Sequence, residues 1–140
     1  MRRLILLFSL FLVAHPAFAG DDEDVRVPLE LYLKAHATGN GDHIREGFWS
    51  DAKLTAWRDG KFVVIPRDEY AARFSGKPAA DEAQRKRRIV SVDRSGDAAI
   101  AKIELDYTTV TFIDYMTLHK IDGQWKIVHK AFQATQKPKQ

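Results

Sequence analysis

The sequence predicts an α+β domain in which N-terminal helices pack on a strongly curved, antiparallel or mixed sheet. Apolar residues recur with helical spacing near the start of the chain, whereas residues 87–134 contain alternating strands joined by short turns. Helices gathered before a late antiparallel sheet are typical of the α+β class. A long sheet that curves around a helix leaves a cone-shaped hollow, so we expect an internal cavity.

The helical part comprises three segments. We predict that the first begins near Pro28, a residue suited to a first helical turn, and ends at Gly39-Asn40-Gly41, where positive φ angles are readily adopted. Asp42 caps a second, shorter helix that reaches about Phe48, and a third helix covers 67–74. The first helix carries one apolar stripe, formed by Leu29, Tyr32, Leu33, His36 and Ala37.

Turn signals divide the rest of the chain into strands. Residues 52–58 and 61–65 are predicted to form a hairpin around Asp59-Gly60, and Pro66 ends its second strand. Four more strands form an antiparallel meander, and their predicted ranges are 87–93, 98–107, 108–121 and 124–134.

Residues 1–19 have the three parts of a secretory signal peptide. A basic start is followed by the apolar stretch 4–13, and Ala17-Phe18-Ala19 matches a signal-peptidase site. We therefore predict an exported protein, periplasmic or secreted, with no membrane anchor after signal cleavage. The predicted organisation is a signal peptide (1–19), an acidic flexible leader (20–27), a single domain (28–134) and a polar tail (135–140).

Composition narrows the classes of function. After cleavage, 20 basic residues face 19 acidic ones, and a nearly neutral domain gives no reason to expect nucleic acid as a partner. The absence of cysteine excludes disulfides and thiolate zinc sites, and no histidines stand at metal-binding spacing, so we expect neither a metal nor a cofactor. We interpret the basic run 85–88 as the entry to a strand, partly paired with Asp81 and Glu82.

Three ionisable residues are candidates for chemistry. His36 lies on the apolar stripe, so it is either a hydrogen-bonding group or general base in the cavity, or a buried structural histidine. Asp114 lies between Phe112 and Met116 on one face of a strand, where a carboxylate is costly unless it is paired. It is either a site group or a structural partner. His129 alternates with apolar residues on the last strand, and is either at the cavity mouth or half-exposed.

The order of the predicted elements is accompanied by several short strings of a recurrent kind. They include His36-Ala37-Thr38-Gly39, Arg58-Asp59-Gly60-Lys61-Phe62, Gly96-Asp97-Ala98-Ala99, Phe112-Ile113-Asp114-Tyr115 and Gly123-Gln124-Trp125-Lys126. In these features the chain resembles the nuclear transport factor 2-like (cystatin-like) superfamily, and more closely its branch of putative lumazine-binding proteins. The resemblance covers nearly all of the chain after residue 19 and implies a cone-shaped fold with a ligand cavity.

Three functions remain open at this point. We favour a non-catalytic domain that binds a small, largely apolar or aromatic molecule in the cone. The first alternative is a proton-transfer enzyme, isomerase- or dehydratase-like, in which His36 and Asp114 meet across the cavity as base and acid. The second is an interaction module, because relatives often dimerise through the sheet, and we expect a homodimer of this kind. The predicted ligand-binding residues are Tyr32, His36, Phe48, Trp57, Asp114 and His129.

Overall fold

The computed structural model describes residues 23–138, so the predicted signal peptide lies outside the described part. Three α-helices and one short turn of 3₁₀-helix precede most of the sheet. They are α1 (Val27–Thr38), α2 (Asp42–Gly47), α3 (Arg67–Ala71) and the 3₁₀ turn Glu82–Gln84. Pro28 lies in the first turn of α1, and Gly39 ends the helix with a φ of 68°. The third helix is three residues shorter than predicted.

The strands form one curved, open sheet of mixed direction. Their order across the sheet is β2-β1-β6-β5-β4-β3, so the predicted hairpin and the predicted meander are both present. Two hairpin turns have an Asp and a Gly in positive φ, at Asp59-Gly60 and Asp122-Gly123. The bounds are β1 (Phe48–Arg58), β2 (Lys61–Pro66), β3 (Lys86–Ser95), β4 (Ala98–Asp106), β5 (Val110–Ile121) and β6 (Gln124–Gln136).

Strands β1 and β6 join the hairpin to the meander by parallel pairing. Leu54 lies opposite Lys130, and Thr55 lies opposite Ala131, with a shift of register nearer the start of β1. This is the single parallel strand pair in the described sheet. Because the two strands are far apart in sequence, no turn pattern predicts their contact.

A β-bulge in β6 changes which residues face inward. Thr117 pairs with His129 but the next residue of β5, Leu118, pairs with Ile127, so Val128 is the extra residue. Before the bulge Ile127 faces the core, and after it Lys130 does. The simple alternation that predicts His129 inward therefore fails by one residue.

The core lies between α1 and the concave face of the sheet. Val25 is 2% exposed, so the predicted flexible leader already contributes a core residue before α1 begins. Among residues 23–138, no helix has the length and hydropathy needed to cross a bilayer. The largest fully buried hydrophobic side chains are Tyr32, Phe48, Leu29, Ile44, Leu54, Ile103, Leu105, Met116, Leu118, Ile127 and Val25.

Candidate binding site

A cavity of about 320 Å³ opens between the C-terminal half of α1, α3 and the inner face of the sheet. Its walls combine aromatic rings with hydroxyl, imidazole and cationic groups, which is the usual make-up of a small-molecule site. The lining residues are Tyr32, His36, Arg58, Ile65, Tyr70, Arg73, Phe74, Arg85, Leu105, Tyr107, Phe112, Lys130 and Phe132.

The floor of the cavity rests on a buried ion pair. Lys130 Nζ donates to the Tyr32 hydroxyl at 2.8 Å, and that hydroxyl donates to Asp114 Oδ2 at 2.6 Å. The ammonium also lies 3.2 Å from Asp114 Oδ1, which accepts no hydrogen bond from the described residues. Asp114 has no exposed surface, and Lys130 has 3%. Removing both charges from water is costly, so each depends on the other for compensation.

Aromatic rings surround the Lys130 ammonium. Its Nζ lies 4.7 Å from the ring centroid of Phe132, 4.9 Å from that of Tyr32 and 5.2 Å from that of Tyr70. The ring faces attract the cation and exclude water from it. Burial lowers the pKa of Lys130, while the charge of Asp114 opposes that shift.

A histidine held between two tyrosines forms the second part of the site. His36 Nε2 lies 2.9 Å from the Tyr70 hydroxyl, and Nδ1 lies 3.0 Å from the Tyr107 hydroxyl. Burial raises the pKa of both phenols, so both are neutral at physiological pH. Burial likewise holds the pKa of His36 well below its ordinary value, and the nearby cations Lys130 and Arg87 add to this effect.

A neutral imidazole has one donor and one acceptor nitrogen, which limits how the two tyrosines are bonded. Tyr107 already accepts a hydrogen bond from Arg87 Nε at 3.2 Å. When Nδ1 of His36 carries the proton, it donates to the Tyr107 hydroxyl, and Nε2 accepts a hydrogen bond from Tyr70; the Tyr107 hydroxyl proton is then not bound to His36. When Nε2 carries the proton, it donates to the Tyr70 hydroxyl, and Nδ1 accepts from Tyr107; the Tyr70 hydroxyl proton is then not bound to His36. Each tautomer therefore leaves one cavity-lining phenol with a proton to donate elsewhere.

An ion pair at the end of the basic run holds Tyr107 in place. Arg87 binds Glu82 through both terminal nitrogens, at 2.6 and 2.7 Å, and Arg85 binds Asp81 at 2.8 Å. The predicted pairing of this run is confirmed. The guanidinium of Arg85 also covers the Tyr107 ring at 4.2 Å from its centroid.

The structure distributes the six predicted ligand-binding residues over three places. Tyr32 and His36 line the cavity. Asp114 lies beneath Tyr32 and does not line it, so His36 and Asp114 are connected through tyrosine hydroxyls and do not face each other across the hollow. Phe48 is buried in the core, with its ring centroid 6.0 Å from that of Tyr32.

Trp57 and His129 face away from the cavity. In β1 the buried positions are Ala52, Leu54 and Ala56, so Trp57 falls on the outer face and is 68% exposed. His129 is turned outward by the bulge and lies 3.1 Å from the hydroxyl of Thr55. The alternating pattern alone could have placed Trp57 outside, whereas the bulge has no comparable signal in the sequence.

The sequence did not single out most of the lining residues, among them three that form the polar part of the site, Lys130, Tyr70 and Tyr107. Lys130 was hidden by the bulge. Tyr70 and Tyr107 fell on inward faces, but nothing in their spacing predicted that both would bond His36. The described chain brings no cluster of three His, Asp or Glu side chains together as a metal ion would need.

The neutral state of His36 predicts acid sensitivity. Since the pKa of His36 is lower in the folded state than its unfolded value of about 6.5, the unfolded chain binds the extra proton first as pH falls. The His36 contribution to stability is therefore complete above that pH and decreases below it, by up to about 1.4 kcal/mol per pH unit. Urea unfolding between pH 7.5 and 5.0 should show a shallower decline for His36→Gln than for the unmodified protein. The exposed His119→Gln variant is the control, and an unchanged slope in His36→Gln would contradict the assignment.

The helices, the curved mixed sheet and the cavity between them define a nuclear transport factor 2-like protein. The family described as "Putative lumazine-binding" matches residues 20–133, and the chain belongs to that family. Both the fold class and the family that the sequence resemblance implied are confirmed.

Individual relatives are distant and share chiefly the fold. A nuclear transport factor 2-like protein of unknown function from Shewanella baltica OS155 superposes with a TM-score of 0.76 at 22% identity, covering 86% of this chain and 98% of that one. A ketosteroid isomerase-like protein from Erwinia carotovora atroseptica SCRI1043 has a TM-score of 0.66 at 15% identity, with 86% and 100% covered. Aldolase FrzH of a Cladobotryum species is 22% identical over 101 residues, which are 72% of this chain and 81% of that protein.

Proposed function

We propose that this protein binds a small, largely apolar molecule that carries at least one hydrogen-bond acceptor. The cavity carries the proposal, because aromatic walls surround neutral phenol donors that a ligand can reach. Membership of a family described as putative lumazine-binding supports a ligand-binding role. The proposal defines the ligand by its chemical class and does not single out lumazine.

Two features favour binding over catalysis. A general base works best when its pKa is near the operating pH, whereas the pKa of His36 is well below its ordinary value. The only carboxylate next to the cavity floor, among the described residues, is Asp114, and Tyr32 and Lys130 separate it from the hollow. A substrate in the cavity would therefore meet no exposed carboxylate.

A proton-transfer enzyme is the second candidate. Two observations favour it: an aldolase and a ketosteroid isomerase-like protein are among the distant relatives, and the phenols of Tyr70 and Tyr107 could donate to a developing enolate oxygen. In that mechanism the neutral imidazole of His36 would take the α-proton, and the two tyrosines would stabilise the negative charge on the oxygen. Exchange of α-protons of a cyclic ketone in deuterated water, followed by NMR, distinguishes this candidate from simple binding.

Filling the cavity should abolish binding. Leu105 lies on the inner face of β4 and lines the hollow, so a tryptophan there occupies the ligand's space. We expect Leu105→Trp to weaken binding of the neutral probe 1-naphthamide at least tenfold, or about 1.4 kcal/mol, in isothermal titration calorimetry. Ile100→Trp is the matched control, because Ile100 is on the same strand but 59% exposed on the other face.

Folding of the variants is checked by near- and far-ultraviolet circular dichroism. Phe112→Trp, at a less buried position of the same wall, replaces Leu105→Trp if that variant unfolds. Equal loss of binding in Ile100→Trp would overturn the proposed function, and so would failure of the unmodified protein to bind both 1-naphthamide and its carboxylate analogue 1-naphthoate at solubility-limited concentration.

We also propose that the protein is exported and that it self-associates through the outer sheet face. The signal-like pattern of residues 1–19 supports export. The outer face supports association, because large apolar side chains lie exposed on it, among them Trp57, Phe62, Ile100 and Tyr115. Sedimentation equilibrium tests whether the protein self-associates.

A further inference from the structure

We propose that the ligand is a ring-bearing carboxylate whose anionic group binds Arg58 at the mouth of the cavity. The inference rests on the proposed function and adds the charge and class of the ligand. It follows from three observations: the charges of the lining, the unpartnered guanidinium, and the aromatic walls with a phenol donor among them.

The charged residues of the lining are all cations. Four of its residues carry positive charge, and none is an aspartate or glutamate. Three of the four cations are neutralised from outside the lining: Arg73 by Glu69, Arg85 by Asp81 and Lys130 by Asp114. With those three charges compensated, Arg58 carries the remaining uncompensated charge of the lining, and an anion entering the hollow gains from it whereas a neutral ligand does not.

Arg58 is the cation that lacks a counter-ion. It is the last residue of β1, and within residues 23–138 its side chain has no hydrogen bond or ion pair. A planar guanidinium with unused donors matches a carboxylate, which it can bind through two parallel hydrogen bonds. The group is exposed, so a carboxylate can reach it from solvent without any rearrangement of the chain.

The rest of the hollow favours a ring. The lining includes aromatic surface from Phe74, Phe112 and Phe132. A small carboxylate without an apolar ring would leave this surface exposed to water, whereas a ring would bury it. When Nδ1 of His36 is protonated, the proton of the lining residue Tyr107 is available to a second acceptor such as a carbonyl oxygen, whereas Tyr70 also contacts the Tyr32 hydroxyl. A flat ring bearing a carboxylate therefore fits both the charge and the walls of the cavity.

The experiment compares two probes that differ in charge and have nearly the same shape. Binding of 1-naphthoate and 1-naphthamide is measured by isothermal titration calorimetry at low ionic strength. We expect 1-naphthoate to bind about tenfold more tightly, and Arg58→Gln to remove about fivefold of that preference by weakening 1-naphthoate more than 1-naphthamide. Raising the salt concentration should reduce the preference in the unmodified protein and have less effect in the variant.

Arg26→Gln is the matched control, since it removes the same charge near the start of α1, about ten residues or 15 Å from His36. Equal affinity for the two probes, or an undiminished preference in Arg58→Gln, would overturn the anion assignment and leave the proposed binding function intact. If Arg26→Gln lowered the preference for 1-naphthoate as much as Arg58→Gln does, the preference would arise from the net charge of the protein, and the anion assignment would be overturned as well. Failure of both probes to bind would remove the proposed function itself.

Discussion

Replacing Lys130 with methionine should lower the free energy of unfolding by about 3–5 kcal/mol, the usual consequence of leaving a buried charge without its partner. Methionine preserves much of the length of the side chain, so the loss comes mainly from the charge. Asp114, which has no exposed surface, would retain only the hydrogen bond from Tyr32. A domain of ordinary stability has 5–15 kcal/mol in all, so the variant should unfold roughly 10–20 °C earlier.

The double variant Asp114→Leu/Lys130→Met separates the charge from the packing. Replacing both members of a buried pair by apolar groups is often neutral, so the double variant should recover much of the stability lost in Lys130→Met. Arg88→Met is the surface control, because it breaks the exposed pair with Glu104 and should change stability little. Chemical denaturation monitored by fluorescence gives the three values.

Two results would contradict the assigned role of the pair. A Lys130→Met protein as stable as the unmodified one would mean that the ammonium does not compensate Asp114. A double variant no better than the single one would mean that Lys130 contributes through its packing against Tyr32 and Phe132 rather than through its charge.

The burial of Asp114 illustrates what the sequence could predict. A carboxylate flanked by Phe112 and Met116 at the inward positions of a strand must be paired, and the pattern of β5 is regular enough to show this. In the same way, the stripe on α1 predicts that His36 faces the sheet. Local periodicity was sufficient in both cases, because each element keeps its regular geometry over the residues concerned.

The partner of Asp114 could not be predicted, because it depends on a departure from regular geometry. If Val128 were paired regularly instead of bulged, His129 would face inward and Lys130 outward, which is what simple alternation indicates. The parallel pairing of β1 with β6 could not be predicted from the sequence either, although it brings Arg58 near the cavity mouth. The two cations of this site, Lys130 and Arg58, therefore depend on long-range strand register, whereas the inward positions of His36 and Asp114 follow from local periodicity.

The buried pair also explains how the cavity floor keeps its polarity. Lys130 and Asp114 fix the Tyr32 hydroxyl between them, and the hydroxyls of Tyr32 and Tyr70 interact in turn. From Tyr70 the contacts continue through His36 to Tyr107 and then to Arg87. Polar groups joined in this way rigidify one another, so the donors that meet a ligand are held in place before it arrives.

Replacing Gly39 with alanine should destabilise the protein by about 2–5 kcal/mol, combining a left-handed backbone with a steric overlap. Gly39 ends α1 with a φ of 68°, which costs an alanine about 1–2 kcal/mol. A Cβ at this position would lie 1.9 Å from the carbonyl oxygen of Lys77, which is backbone and cannot rotate away. Because His36 lies one turn earlier in α1, the displaced segment should also weaken binding of 1-naphthamide.

Gly76→Ala provides the matched control for the overlap. Gly76 has a φ of 80° and donates its N–H to the Gly39 carbonyl at 2.8 Å, yet a Cβ there would meet nothing within 4 Å. It should therefore show the backbone cost of about 1–2 kcal/mol alone, and the difference between the two variants measures the contact with Lys77. If Gly39→Ala and Gly76→Ala lost the same stability in thermal and urea unfolding, the loop at Lys77 would be able to move away from the new Cβ at no energetic cost. A larger loss in Gly39→Ala, accompanied by weaker probe binding, means that the close approach of this loop to the end of α1 holds His36 in the cavity wall.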